Sequence, residues 1–443
     1  MTMGPPPEEH AVRTRAGRPA HERGGTTVDG RCRSMYTTEP TEAGIEDASN
    51  ILVAPSMLQD NESIRDFFGS TITPEDLASG LPDLAHKTVY LCGDISGLSG
   101  RQLHAAARVF VIRELSHGYH EDVDKPWILV DLGRVPIRVH GVGVYYRRFF
   151  GLGADHFGRI RAEHAFQSLT ESTKPGTAHR SGIYLTPVTR NGDELHFRLL
   201  RCSTNLSGPT ESFRPTDTRI VEALNREAAV VFRNQAPLNH VLAQIYHNTL
   251  ATAERKQAKA KISAHADKTK DMPVNGIMAF CTFYDRLDKL QPLAEDAFDY
   301  GVQGVSGLTR LHFRLKEPTA ERNGVVLPAQ FTLTLHPGSV FFMPLSTNRL
   351  YTHEIRPATL AADLLPTRLG YVVRCSSAEA MHKNGHTFLK VAGDLVKLEP
   401  PTPADLNELR RLYAEENRNS SFIDYGDEFP FSMNTGDYVA PRA

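Results

Sequence analysis

Along the second half of the chain, apolar residues come in short runs broken by Gly, Pro and charged clusters. Runs of that length with β-branched and aromatic residues suit strands better than helices. They predict strands at 238–246, 275–284, 309–314, 329–335, 339–343 and 368–374. Upstream, "PWILVDLG" and "IRVHGVGVYYRRFF" also read as strands. "SGIYLTPVTRNGDELHFRLLRCS" reads as a hairpin around Asn191-Gly192, because that dipeptide tolerates the positive φ of a tight turn. Helical spacing occurs in "RPTDTRIVEALNREAAVVFR", where Ile220, Leu224 and Ala228 repeat at four and Thr216 or Asp217 follows Pro215 as N-cap. It also occurs at 100–119, "GRQLHAAARVFVIRELSHGY", with Leu103, Ala106, Ala107, Phe110 and Ile112 on one broad face. A late helix is expected at 403–416, followed by a polar and aromatic tail that wraps the surface or stays loose.

Residues 1 to about 50 hold few large apolar side chains among Pro, Gly, Arg, Glu and Thr. Such a stretch cannot bury enough surface to offset its ordering entropy, so a disordered tail is expected, with order beginning near "ESIRDFFGS". From about 180 the pattern is strands with Gly/Pro turns and one helix alongside, which suits a β-sandwich or jelly roll with helical support. The expected layout is a tail at 1–50, a mixed α/β region of unassigned role at 51–180, a strand-rich domain at 181–395, and a C-terminal helix and tail at 396–443. The fold class is thus α+β.

Composition narrows the function classes. The 443 residues are 40% hydrophobic and 23% charged, enough for a sizeable core. A net charge of -2 gives no global attraction to a polyanion, so a nucleic-acid surface would have to be a local patch. Five scattered cysteines (32, 92, 202, 281, 375) form no C-x-x-C pair, which argues against a disulfide scaffold or structural zinc. With no long apolar run and no apolar leader, the expectation is an intracellular protein, cytoplasmic or nuclear, neither secreted nor membrane-bound.

"KISAHADKTKDM" places His265 and Asp267 one residue apart. Residues i and i+2 of a strand share a side, so an imidazole and a carboxylate would aim at one point. The pattern alone is cheap in a chain with 19 histidines, and "GYHEDVD" repeats it at His120 and Asp122 in a charged loop without partners. His265 does have candidate partners. His353 follows an apolar strand and a turn, as a second histidine of a 2-His-1-carboxylate iron site would. Arg368 and Arg374 then lie six apart on one strand face. At about 3.3 Å per residue their Cα atoms are roughly 20 Å apart, so they cannot grip one carboxylate together. They take opposite ends of a ligand, or Arg374 braces the carboxylate of Asp267. Gln244 and Tyr246 share a face of another strand, within reach of a buried carboxylate.

In order, "QIY" (244–246), "ISAHAD" (262–267), "GSV" (338–340), "RLYTHEI" (349–355) and "RLGYVVR" (368–374) resemble the AlkB-like branch of the Fe(II)/2-oxoglutarate-dependent dioxygenases, over about residues 180–380. The resemblance implies a double-stranded β-helix, a jelly roll. It implies Fe(II) on His265, Asp267 and His353, with O2 and 2-oxoglutarate as co-reactants. Arg368 would clamp the distal carboxylate of 2-oxoglutarate with Tyr246 assisting, and Arg374 would support the ligand carboxylate or the cosubstrate's other end. The sequence departs from the family in Gln244, where Asn is usual, and in Gly370 and Val372, where polar residues are common. The approach to His265 is longer and basic, and so is the gap from Asp267 to His353 longer than in compact members.

The resemblance implies hydroxylation or oxidative demethylation, with a nucleic-acid base as the favoured substrate. The basic insert, Arg255, Lys256, Lys259, Lys261, Lys268 and Lys270, would then contact DNA or RNA phosphates. A solvated loop is the plain alternative for that insert. The rival functions are a hydroxylase of a protein side chain or small molecule, a non-catalytic jelly-roll binding protein, and an interaction protein working through its N-terminal region. Nothing in the sequence sets the oligomeric state.

Overall fold

Strand alternation sorts the strand-rich half into two faces. A computed structural model describes residues 41–443 except 99, 120–126, 171–176, 202–205, 255, 318–320, 323–324 and 427–428. The expected tail up to residue 40, the His120–Asp122 pair and Arg255 lie outside the described residues. In the main sheet the strand order is Glu211–Ser212, Thr177–Thr186, His240–Tyr246, Thr367–Arg374, Ile277–Asp285, Val340–Pro344, Gly143–Tyr146 and Ile137–Val139. All its neighbours run antiparallel except the first pair. Val241, Ala243, Ile245, Leu369, Tyr371 and Val373 face one side, where the helix Pro215–Val231 packs Ile220, Leu224, Ala228 and Val231 onto them. Tyr246, Met278, Phe280, Phe341 and Met343 face the other side. There they meet a smaller antiparallel sheet of Ile262–His265, Tyr351–Arg356, Arg310–Leu315 and Gln330–Thr334, through Leu311, Phe313, Leu315, Phe331, Tyr351 and Ile355. Each of these large apolar side chains contributes about 1.5–3 kcal/mol when fully buried, and their shared core holds the two sheets face to face.

The six strands expected from 238 onward are all present, at bounds shifted by no more than two residues. Other expectations are corrected. The helix expected at 100–119 is helical only at Gly100–Leu103, and Arg108–His117 is a strand. That strand is interior to a five-stranded parallel sheet, ordered Ser70–Ile72, Asn50–Val53, Thr88–Asp94, Arg108–His117 and Ile128–Val130. Val109 and Val111 enter one core and Ile112 the opposite one, so a strand covered on both faces produces a continuous apolar run that helical spacing also fits.

The hairpin forms only between Thr189–Asn191 and Glu194–Leu199, turning on Gly192-Asp193, with Gly192 at φ +57°. Its expected first arm joins the main sheet instead. The long helix is capped by Arg214. Pro215 opens it, and the carboxylate of Asp217 accepts from the Arg214 amide at 2.8 Å. Order begins well before "ESIRDFFGS": Gly44–Ile45 pairs with Phe232–Arg233, and Asn50–Val53 is wholly buried. The C-terminal tail is packed rather than loose, with Tyr425, Phe429 and Phe431 buried against Leu409 and Tyr413 of the helix Pro403–Arg418. Among the described residues no helix is long and apolar enough to cross a membrane.

Candidate metal centre

His265 ends its strand directly opposite His353 on the neighbouring antiparallel strand. Directly opposed residues share a face, so both imidazoles project between the two sheets, with ring centroids 4.5 Å apart. Phe280 and Phe313 flank the His353 ring at 5.4 and 5.8 Å. Asp267 lies beyond the strand's end rather than within it, because the ladder stops at His265. Its backbone is held from both sides by Asn348, whose Oδ1 accepts from the Asp267 amide and whose Nδ2 donates to the Asp267 carbonyl, each at 2.8 Å.

Arg374 donates twice to one carboxylate oxygen of Asp267, from Nε at 2.9 Å and Nη2 at 2.6 Å to Oδ2. The other oxygen, Oδ1, is left toward the imidazoles, 3.5 Å from His265 Nε2 and 3.9 Å from His353 Nε2. Two ligands of one ion at about 2.0–2.2 Å each lie no more than about 4.4 Å apart, and both distances fall inside that limit. One ligand atom from each of the three residues lies within 4.8 Å of the others. His265 Nδ1 sits 2.9 Å from the Ser263 carbonyl oxygen, which can only accept, so Nδ1 carries the proton and Nε2 presents its lone pair. Burial pushes His353 down to about 3, with nearby His265 adding to the effect, so its imidazole is neutral at pH 7. Burial by itself would raise Asp267. The Arg374 guanidinium outweighs it and holds the carboxyl well below the usual range. The donor set, two imidazoles and one carboxylate, fits a divalent metal of the Fe(II) type.

Arg368 occupies the other end of the same strand face, opposite Tyr246 and Tyr284. It is 5% exposed, and its guanidinium carbon lies 4.0 Å from the centre of the Tyr246 ring. Its Nε has no hydrogen-bond partner, and among the described residues no carboxylate pairs with it. A buried cation of this kind is costly unless an anion reaches it. The Tyr246 hydroxyl donates to Gln244 Oε1 at 3.2 Å, so Gln244 orients the tyrosine. A Cβ on Gly370 would meet Arg368 Nη1 at 3.0 Å and Tyr246 Cε2 at 3.2 Å, so the glycine leaves room for the stacked pair. Tyr246, Arg368, Asn248, Thr309 and Pro366 line a cavity here. The two arginines therefore divide: Arg374 braces Asp267, and Arg368 is buried on the Tyr246 ring without an acid partner among the described residues.

The basic insert differs from expectation. Lys270 has a side chain 3% exposed and pairs with Asp271 at 3.2 Å. The Lys268 ammonium lies over the Tyr413 ring at 4.3 Å. Lys259 donates to the carbonyls of Ala358 and Thr359 at 2.9 and 3.0 Å. Lys259 and Lys268 thus tie the loop to the protein, and Lys270 is buried beside its neighbour Asp271. Lys256 and Lys261 are exposed. Asn348, Asn248 and Thr309 carry no motif of their own. Asn248 extends the alternation of Gln244 and Tyr246 by one step, whereas Asn348 is visible only through the fold.

A second cluster, Glu163, His164 and Asp217, is of another kind. His164 bonds Glu211 at 3.0 Å through Nδ1 and Asp217 at 2.7 Å through Nε2. Burial would lower its pKa, but those bonds raise it to about 9. Both nitrogens carry protons, so the imidazolium is a structural cation and offers no lone pair to a metal.

No family model matches the chain, and no curated protein matches it. Solved structures similar to it include the non-heme α-ketoglutarate-dependent epimerase SnoN from nogalamycin biosynthesis, at 12% identity over 54% of this chain and 77% of that one, with a TM-score of 0.29. They also include OsALKBH1, at 14% identity over 54% of this chain and 99% of that one, with a TM-score of 0.30. SnoN in complex with Fe3+, α-ketoglutarate and nogalamycin RO is similar at 12% identity over 54% of this chain and 80% of that one, with a TM-score of 0.28. At TM-scores of this size the likeness adds no weight of its own; what the site can do follows from its two imidazoles, one braced carboxylate and one uncompensated arginine.

Proposed function

We propose that this chain is an Fe(II)- and 2-oxoglutarate-dependent dioxygenase built on a double-stranded β-helix, with catalysis in residues 181–395. The observation that carries this is the pairing of His265, Asp267 and His353 at one point with a buried, acid-free Arg368 on the adjoining face. His265, Asp267 and His353 would hold the iron, and Arg368 would take the distal carboxylate of 2-oxoglutarate as a guanidinium fork takes any carboxylate. Bound there, iron with O2 and 2-oxoglutarate supplies the oxidation of a substrate C–H bond, with succinate and carbon dioxide as by-products. The chain's residues do the rest. Arg374 keeps Asp267 ionised and turns one oxygen inward, Ser263 fixes the His265 tautomer, and Phe280 and Phe313 keep water from His353. Addition of Fe(II) and 2-oxoglutarate under anaerobic conditions should produce the weak visible charge-transfer band of a chelated complex, absent in His265→Ala. Folded, metal-loaded protein without the band would overturn the proposal.

For the substrate, a nucleic-acid base is supported by the AlkB-like order of motifs and by exposed Lys256 and Lys261. Hydroxylation at an N-methyl group would release it, so the reaction would be demethylation. A substrate without phosphates, a protein side chain or small molecule, is favoured by the engagement of Lys259, Lys268 and Lys270 within the protein. Oligonucleotide affinity that falls steeply with salt, and drops in Lys256→Ala/Lys261→Ala, selects the first; salt-independent turnover of a non-nucleic substrate selects the second. Buried thiols at Cys92, Cys281 and Cys375 support a reducing, intracellular setting.

A further inference from the structure

We propose that the helix Pro403–Arg418 positions the metal loop, with Asn417 and Glu416 as positioning residues for Asp267. This rests on the metal assignment above. The loop after His265 has left the strand ladder, so its backbone N–H groups need partners from elsewhere. The helix supplies two of them, for Ala266 and Thr269, and Asn348 supplies the one for Asp267. Asn417 Oδ1 accepts from the Ala266 amide at 2.7 Å. The Glu416 carboxylate accepts from the Thr269 amide at 3.2 and 3.3 Å, and from the Thr269 hydroxyl as well. The Lys268 ammonium rests on the Tyr413 ring. Tyr413, Glu416 and Asn417 stand at i, i+3 and i+4, one helical face, and they hold residues on both sides of Asp267.

The same face is anchored to the other half of the ligand set. Lys316, just past the strand Arg310–Leu315, donates to the carbonyls of Glu416 and Asn419 at 2.6 and 3.2 Å. That strand pairs Phe313 with His353. The Tyr425 hydroxyl donates to Glu416 Oε2 at 2.5 Å and locks the carboxylate. One helix end therefore bridges the loop that carries Asp267 and the sheet that carries His353. Partners bonded directly to a ligand typically change metal affinity by about 10–100-fold when lost. Asn417 and Glu416 act one residue and two residues away along the backbone, at Ala266 and Thr269, so a smaller loss is expected.

The test is Co(II) binding to the full chain, followed by its visible d–d bands, beside the melting temperature of the metal-free protein. Asn417→Leu should weaken Co(II) several-fold, up to about 10-fold, the lower end of what loss of a partner bonded directly to a ligand costs. Asn417→Asp, which keeps the accepting oxygen, should stay near wild type. Arg411→Ala, on the exposed side of the helix, should leave affinity unchanged. If Asn417→Leu does not fold, Glu416→Ala, which removes both oxygens that accept from Thr269, decides, with weakened Co(II) binding expected. Wild-type affinity in the folded variants, even with a lower metal-free melting temperature, would overturn the inference and leave the metal assignment standing. Wild-type bands that His265→Ala does not abolish would overturn the metal assignment, and this inference with it.

Discussion

Single side chains here are set by what their neighbours leave unmet. Arg368 is buried against Tyr246 with no acid partner, so its removal should be felt by an anionic ligand more than by the fold. Arg368→Ala should raise the 2-oxoglutarate requirement by at least tenfold, about 1.4 kcal/mol of binding, read as KM for the cosubstrate. Arg368→Lys should recover only part, because an ammonium cannot form the bidentate fork. Gly370→Val should act on the same parameter without touching metal affinity, since its side chain would displace the guanidinium. An unchanged KM in Gly370→Val would show that the arginine has room to move. Arg374 is the opposite case. It is ion-paired to buried Asp267 at 2.6 Å, and removing one partner of such a pair costs about 3–5 kcal/mol. Arg374→Ala should therefore lower the melting temperature clearly even in metal-free protein.

At the scale of elements, His164 joins three of them. It follows the helix His156–Glu163 and bonds the strand Glu211–Ser212 and the first turn of the helix Pro215–Val231 through Asp217. Asp217 also accepts from the Tyr371 hydroxyl at 2.8 Å, which reaches in from the main sheet. The Asp217 and Glu211 carboxylates, against the opposing effect of burial, raise His164 to about 9, well above an ordinary histidine. A raised histidine pKa contributes stability that is complete below the unfolded pKa and disappears as pH rises through the folded one. The unfolding free energy read from urea melts should hence fall between about pH 6.5 and pH 9, by an amount on the order of 3 kcal/mol. The decline should be much flatter in His164→Gln; an equal decline would place the titrating group elsewhere.

At the scale of the whole molecule, the N-terminal region is not merely appended. Gly143–Tyr146 pairs with Val340–Pro344 and extends the main sheet, placing Val144 and Tyr146 in one core and Tyr145 in the other. A fragment 181–443 would expose an apolar strand edge and lose packing on both faces. It should express insolubly, while 41–443 folds; a soluble, cooperatively melting 181–443 fragment would show that the strands 137–146 are dispensable. Much of this organisation was legible in the residues. Short apolar runs marked the six strands after 238, and the order of "QIY", "ISAHAD", "RLYTHEI" and "RLGYVVR" marked the side chains that meet, because alternation along a strand is a local property. The sequence by itself also determined which arginine pair shares a face. What each arginine does, Arg374 on Asp267 and Arg368 on the Tyr246 ring, was decided only in three dimensions, since it depends on which strands are neighbours. The parallel strand hidden in "RVFVIREL", the pinning of Asp267 by Asn348 and Asn417, and the internal engagement of Lys259, Lys268 and Lys270 were likewise tertiary. Burial on two faces erases the alternation that would reveal a strand, and a hydrogen bond between residues 81 or 151 positions apart leaves no local trace.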